Sequence, residues 1–296
     1  MTDTFREHRP WLFALAYRIL GTATDAEDVL QEAHLRFSAH AAEVQHPKRW
    51  LEQVVTRLCI DEKKSARTRR EEYVGPWLPE PLETHGAMLQ GAVVDAESIS
   101  LAFLALLERL SPLERAVYVL VEVFDYSADE AATALEREAP AVRQLLHRAR
   151  AHVQAGKPRF APSREAHLAV LGAFFAAVQT GDVKQVESFL ANDARAVQDG
   201  GGQVKTALQI IEGADKVARL YAGLAKKVDP SLRYEVREVN AWPALVMLRE
   251  QTVVGVVSLE TDGRLVFGLS NCMNPAKLTA MSHAAGLLRP GAETQP

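Results

Sequence analysis

The stretch from Tyr73 to Ser98 constrains this chain more than any other. Gly75, Pro76, Pro79, Pro81, Gly86 and Gly91 recur too densely for a helix or a strand to run through it, so it divides the chain into an earlier and a later part. Residues 5–72 read as helices. Trp11, Leu12, Leu15 and Ile19 recur at helical spacing, as do Val29, Leu30, Ala33 and Phe37, and then Trp50, Leu51, Val54, Val55 and Leu58. Gly21 closes the first helix, Thr24 with Glu27 predicts a capping box on the second, and Pro47 opens the third. Leu101, Leu104, Leu107 and Leu110 form a further helix that stops at Ser111-Pro112, where the next begins. A short helix over 128–135, a turn at 136–139 and a helix over 140–154 complete a helix-turn-helix pattern.

A second break comes at Gly156, Pro158 and Pro162. Beyond it, helices over 166–180 and on to about 190, and near 213–226, mix with strand-like runs at 232–239, 244–249, 253–259 and 265–269. The expected organisation is an all-α domain over 1–72, a linker over 73–98, an all-α helix-turn-helix domain over 99–157, an α+β domain with a curved antiparallel sheet over 165–282, and a loose tail over 283–296.

Composition narrows the class. With 296 residues, 48% hydrophobic and 24% charged, the chain has the balance of a packed globular protein, not of a disordered or disulfide-stapled one. No run approaches the ~20 apolar residues of a membrane-spanning helix, and the polar start from Met1 to Pro10 lacks the pattern of a secretion signal; a cytoplasmic location without membrane contact is expected. Cys59 and Cys272 stand far apart without metal-ligand spacing and read as buried thiols.

The net charge of −4 hides an uneven distribution. From Pro47 to Arg70 the bases Lys48, Arg49, Arg57, Lys63, Lys64, Arg67, Arg69 and Arg70 outnumber the acids Glu52, Asp61 and Glu62, with Trp50 at the head of the helix. Such a face can neutralise phosphates and release counterions, or be no more than a solvated charged helix. From Ala139 to Arg164 there is no acid at all. Arg143, Gln144 and His147 lie near the amino end of the second helix of the helix-turn-helix, where side chains meet base edges, while Arg148 and Arg150 suit phosphates. Asp25, Glu27, Asp28 and Glu32 cluster on one helix without a His or Cys nearby, which favours a protein contact face over a metal site. Asp199-Gly200-Gly201-Gly202-Gln203 lacks the spacing of a phosphate loop and reads as a turn. His167, His283, Asp193, Asp199 and Tyr221 form no spacing-defined catalytic set. Trp77-Leu78-Pro79-Glu80-Pro81-Leu82 combines a stiff backbone with apolar side chains, either an inert tether or a segment built to dock.

Two helical DNA-binding segments in this order resemble the extracytoplasmic-function sigma factors of bacterial RNA polymerase. Asp25-Ala26-Glu27-Asp28-Val29-Leu30-Gln31-Glu32 is similar to the polymerase-binding helix of sigma region 2, and Trp50-Leu51 through Arg57, Asp61 and the Lys63 to Arg70 run to its promoter minus-ten helix. Ser111-Pro112-Leu113-Glu114-Arg115 onward, with His147-Arg148-Ala149-Arg150, resembles region 4, the minus-thirty-five reader. The Trp77 to Leu82 motif, Asp199-Gly200-Gly201-Gly202 and Asn274-Pro275-Ala276-Lys277-Leu278 resemble motifs of the SigJ-like group, which carries a fused cone-shaped SnoaL-like (NTF2-like) domain; Gln203 stands where that group commonly has Lys.

The resemblance implies that Asp25, Glu27, Asp28, Gln31, Glu32 and Arg36 face the β and β′ subunits of core RNA polymerase. It also implies that promoter DNA is the second partner, that no bond chemistry is performed and no cofactor is used, and that the last domain regulates in place of a separate anti-sigma factor. A small-molecule ligand of that domain stays unidentified. The glycine loop is expected to face the Trp77 to Leu82 segment, because little side-chain bulk permits close approach. A DNA-binding enzyme and an ordinary helix-turn-helix regulator are the competing readings.

Overall fold

The computed structural model describes residues 3–84, 96–156, 162–227 and 229–281, excepting the side chains at 3 and 67–71. The expected loose tail and most of the second half of the expected linker lie outside the described residues. The chain divides into two compact units: residues 1–72 with 84–157, and residues 73–83 with 158–296. The two helical segments expected as separate domains therefore share one unit, and the first eleven residues of the expected linker belong to the other.

In the first unit, α1 (Asp3–Leu20), α2 (Ala23–His40) and α3 (Pro47–Glu71) pack on one another through Leu12, Leu15, Ile19, Leu30, Phe37, Leu51 and Val55, all buried. Gly21, at φ +82°, ends α1 in the left-handed conformation, its amide donating to the Tyr17 carbonyl at 2.7 Å. The expected capping box at Thr24 is corrected: Thr22 is the capping residue and its hydroxyl donates to Asp25, while Thr24 already lies in the first turn. Boxes form instead at Ser111 with Glu114 and at Ser127 with Glu130, opening α6 (Pro112–Tyr118) and α7 (Ala128–Leu135). Before them come α4 (Ala96–Ile99) and α5 (Leu101–Leu107); after them comes α8 (Ala139–Gly156). A π-turn at Val119–Val123 continues α6. Two fully buried arginines tie the early and late helices together: Arg115 Nε donates to the Arg18 carbonyl at 2.9 Å, and the Arg18 guanidinium to Ser98 Oγ at 3.2 Å.

In the second unit, α9 (Arg164–Thr180), α10 (Val183–Glu187) and α11 (Ala214–Ala225) accompany a six-stranded sheet of order β2-β1-β6-β5-β4-β3. Its strands are β1 (Leu190–Asp199), β2 (Ile211–Glu212), β3 (Leu232–Val239), β4 (Trp242–Arg249), β5 (Thr252–Thr261) and β6 (Val266–Cys272). The all-antiparallel expectation is corrected, because β1 runs parallel to β6, with Ala196 opposite Leu269. Parallel neighbours need a long crossover, and here α11 and the β3–β4–β5 meander supply it. Strand β1 is absent from the sequence expectation, which places a helix up to about residue 190. The core gathers Leu171, Phe174, Val217, Val257, Leu259 and Leu269.

Candidate functional site

On α2 the acidic set divides. Asp28 and Gln31 are exposed, and Glu32, partly exposed, pairs with Arg36 at 2.7 Å one turn on. Asp25 accepts from Thr22, and Glu27 is gripped by Arg9 at 2.6 and 2.7 Å, so these two carboxylates are engaged within the unit. Leu35, 64% exposed, continues the line of Asp28, Gln31 and Glu32 along the helix. Sequence reasoning missed it, although a leucine out of register with Val29, Leu30, Ala33 and Phe37 was the available signal.

On α3, Trp50 is half-buried, its ring 5.8 Å from Phe37 and 6.4 Å from His40. Arg57 Nη2 lies 2.6 Å from Glu136 Oε1, and Arg49 is 3.9 Å from Glu130. Exposed Lys64 pairs with Asp61 at 2.9 Å. Lys63 requires correction as a DNA-facing base: at 5% exposure it is an interior cation, its Nζ donating to the Leu20 carbonyl at 3.0 Å and to Glu108 at 2.8 Å. The side chains of Arg67, Arg69 and Arg70 lie outside the described residues.

The helix-turn-helix is α7, a left-handed Glu136 (φ 50°, ψ 50°) and α8. Val142, Leu145, Leu146, Ala149 and Val153 bury one side of α8, which leaves Arg143, Gln144, His147, Arg148 and Arg150 exposed on the other. Arg143 pairs with Asp129 at 3.2 Å, Arg148 with Glu114 at 3.2 Å and Arg150 with Glu122 at 2.6 Å. Against its partial burial, the Ser111 hydroxyl and amide together with Arg148 hold the Glu114 carboxyl below the usual range. Where α7 meets α3, burial and a hydrogen bond to Glu52 push the Tyr126 phenol up, keeping it a neutral donor.

The second unit contains a third site, centred on Asp199 at the end of β1. This fully buried carboxylate accepts from the Tyr73 hydroxyl, the Leu78 amide (2.9 Å), the Gly201 amide (3.1 Å) and Lys277 Nζ (2.6 Å). Lys277 also donates to the Leu78 carbonyl at 2.6 Å and stands 4.1 Å from the centre of the Trp77 ring. Asn274 Nδ2 donates to the Tyr73 hydroxyl at 2.8 Å, while Pro275 starts the 3₁₀ turn that brings Lys277 inward. Residues 73–83 thus form a strap. Leu78, Pro79, Glu80, Pro81 and Leu82 are buried, and beyond them Leu82 exchanges hydrogen bonds with Asn240 at 2.8 and 2.9 Å.

The glycine loop lies against the strap. Gly201, at φ +59°, could not carry a side chain, since a Cβ there would sit 2.4 Å from Asn274 Nδ2, and Gly202 packs against Val74. Gly200 is closed off by the Val204 carbonyl, 2.2 Å from where its Cβ would be. Gln203 and Lys205 are exposed, and the cation that meets Asp199 comes from Lys277. The structure therefore brings together Trp77, Asp199, Gly201, Asn274 and Lys277, which are scattered over two hundred residues of sequence.

Two family models match the helical part of the chain. Residues 4–69 match the family model for sigma-70 region 2, and residues 100–153 the model for sigma-70 region 4. The chain is 39% identical over 233 residues to the ECF RNA polymerase sigma factor SigJ of Mycobacterium tuberculosis, covering 78% of this chain and 74% of that protein. It is 29% identical to the probable ECF RNA polymerase sigma factor SigI of the same organism, over 97% of each. The crystal structure of Mycobacterium tuberculosis SigJ superposes with a TM-score of 0.76 at 33% identity, covering 93% of this chain and 97% of that one.

Proposed function

The chain belongs to the extracytoplasmic-function RNA polymerase sigma factors, which bind core RNA polymerase and promoter DNA and direct transcription initiation, and from that premise we propose how its parts divide the work. The exposed line Asp28, Gln31, Glu32 and Leu35, with Arg36, docks on the polymerase β and β′ subunits, apolar at its end and acidic along its length. Helix α3 supplies Trp50, Arg57, Lys64 and the basic run to Arg70 for the minus-ten element. Helix α8 enters the major groove of the minus-thirty-five element, where Arg143, Gln144 and His147 meet base edges and Arg148 and Arg150 meet phosphates.

The carboxyl-terminal unit regulates by gripping the strap. The observation that carries this reading is the Asp199–Lys277 site, which holds Tyr73 to Glu83, the first part of the segment that links α3 to the later helices of the first unit. A linker held over its first eleven residues has less freedom to adjust its span. The pairing of Arg57 with Glu136 supports a resting state in which part of the promoter-binding surface is occupied from within.

In-vitro transcription with purified core enzyme tests both halves. Asp28→Lys with Glu32→Lys is expected to weaken association with core at least tenfold and to abolish initiation. Association unchanged by this double reversal removes the docking assignment. Lys277→Met is expected to alter initiation while leaving association with core intact, and identical transcription removes the regulatory role.

A further inference from the structure

In the second unit, β3 is an outer strand of the sheet, with β4 on one side. Asn240 and Ala241 join the two strands, both left-handed at φ 52° and 64°, the two-residue hairpin turn that makes Val239 and Trp242 a hydrogen-bonded pair. From that pair the ladder alternates. The backbone groups of Arg237, Glu235 and Arg233 turn to β4, and those of Val236, Tyr234 and Leu232 turn to the open edge. The strap fixes the same direction, because the Asn240 amide donates to the Leu82 carbonyl at 2.8 Å and Glu83 bridges Val239. Further along the edge the Leu232 amide turns back to the Asp229 carbonyl at 3.0 Å. Between these two points, among the described residues, no strand pairs with Tyr234 or Val236 on the open side.

An unpaired edge with exposed apolar side chains is a template for another strand. Tyr234 is 38% and Val236 51% exposed, and both stand on one face of the sheet. The other face of β3 carries Arg233, Glu235 and Arg237, charges of alternating sign. Glu235 pairs with Arg237 at 2.7 Å and with Arg233 at 3.2 Å. Arg237 has a second carboxylate in Glu83, at 3.8 Å, whereas the Arg233 side chain stands largely in solvent. The strand thus offers free main-chain groups, an apolar stripe and an under-used cation beside a shared anion.

We propose that the β3 edge is a self-complementary interface, at which two copies of this chain pair antiparallel about a two-fold axis at Tyr234 and continue the sheet from one copy into the other. In that register the Tyr234 amide and carbonyl bond those of their own copy, and the Val236 amide donates to the second copy's Leu232 carbonyl. Arg233 then lies opposite the second copy's Glu235, so each cation gains a carboxylate across the interface. The neighbouring registers are refused. An axis at Glu235 sets that carboxylate against itself and Arg233 against Arg237, and an axis at Arg233 sets two guanidinium groups face to face. An axis at Val236 brings the second copy's Arg233 opposite Val239, where Glu83 of the strap already sits. Charge and the strap together leave one alignment. The inference stands apart from the sigma-factor reading, because its test measures mass and not transcription.

Sedimentation equilibrium of the full chain over a dilution series is the test. The expected result is a dimer that dissociates reversibly on dilution. Val236→Pro removes an amide that makes no bond to β4, so it should abolish the dimer while circular dichroism shows the fold retained. Arg233→Glu and Glu235→Arg should each weaken association at least tenfold, and the two together in one chain should restore it, since the swapped charges meet again across the axis. Tyr234→Cys should form a disulfide with its own copy under mild oxidation, because a hydrogen-bonded antiparallel pair brings Cα atoms within about 5.5 Å; the native Cys59 and Cys272 are both buried and do not compete. A monomer at every concentration overturns the proposal and leaves the edge to another occupant or to water. A dimer that survives Val236→Pro, or one that the charge swap fails to restore, overturns it equally.

Discussion

At the scale of single residues, the Asp199–Lys277 pair carries the sharpest consequence. Both side chains are withdrawn from water, and the carboxylate gathers four donors from the strap, the glycine loop and the 3₁₀ turn. Removing one member of such a pair leaves an uncompensated buried charge, at a cost of about 3–5 kcal/mol. Lys277→Met should therefore destabilise the chain by that order in urea unfolding, and make residues 73–83 the first site of proteolytic cleavage. The double change Lys277→Met with Asp199→Asn should cost clearly less, because no naked charge remains; equal losses would mean that the ion pair is not what fastens the strap.

His167 gives a pH dependence. It is 3% exposed and stacks on Trp242 at 5.1 Å, and burial, with Arg164 nearby, holds its pKa below the usual value despite a hydrogen bond to the Pro243 carbonyl. Below about pH 6.5 the unfolded chain takes up the proton first. Stability should thus fall with decreasing pH until the folded-state value is reached, and be flat above. Urea midpoints between pH 7.5 and 5.5 should show this limb, and His167→Phe, which keeps the ring stack, should flatten it. The burial of Lys63 is itself legible in the sequence: it stands four residues after Cys59 and three before Ala66, on the buried stripe of α3, but a run of bases announces itself by composition and not by register.

At the scale of elements, the helices were readable and two strands, β1 and the two-residue β2, were not, and for β1 the reason is physical. Strand β1 turns Ala194 and Ala196 inward against α11, where larger side chains would not fit, so its alternation is written in alanine, a residue of high helix and low strand preference. Its parallel pairing with β6 joins segments some seventy residues apart and leaves no local trace. The turn of the helix-turn-helix left a clearer one, since Glu136 interrupts two periodic stretches.

That turn also yields a prediction. Glu136 sits in a left-handed conformation that asparagine tolerates better, and its bond to Arg57 is half-exposed and worth at most about 1 kcal/mol. Glu136→Asn should leave stability unchanged or slightly raised. By releasing Arg57 to a phosphate, it should raise the affinity of the full chain for nonspecific duplex DNA several-fold and steepen its log–log salt dependence by about one. Parallel salt slopes for the two proteins would mean that Arg57 does not reach DNA.

At the scale of the whole molecule, the sequence marks the strap and the Asn274 to Leu278 motif as unusual, yet it cannot show that Lys277 closes on Asp199, 78 positions away. That closure changes what residues 73–98 are. Of a stretch that reads as one long linker, the first eleven residues are fastened to the carboxyl-terminal unit. Fully extended, eleven residues span at most about 40 Å, comparable to the ~35 Å of one turn of DNA, so on the proposed function a held strap restricts how far the two promoter-binding segments can vary their separation. The native chain should show a sharp optimum when the spacing between minus-ten and minus-thirty-five elements is changed in single base pairs, and Lys277→Met with Asp199→Asn should broaden it, retaining initiation two base pairs either side where the native chain has lost it. In-vitro transcription on such a promoter series is the measurement. Superimposable profiles would mean that the strap does not set the spacing.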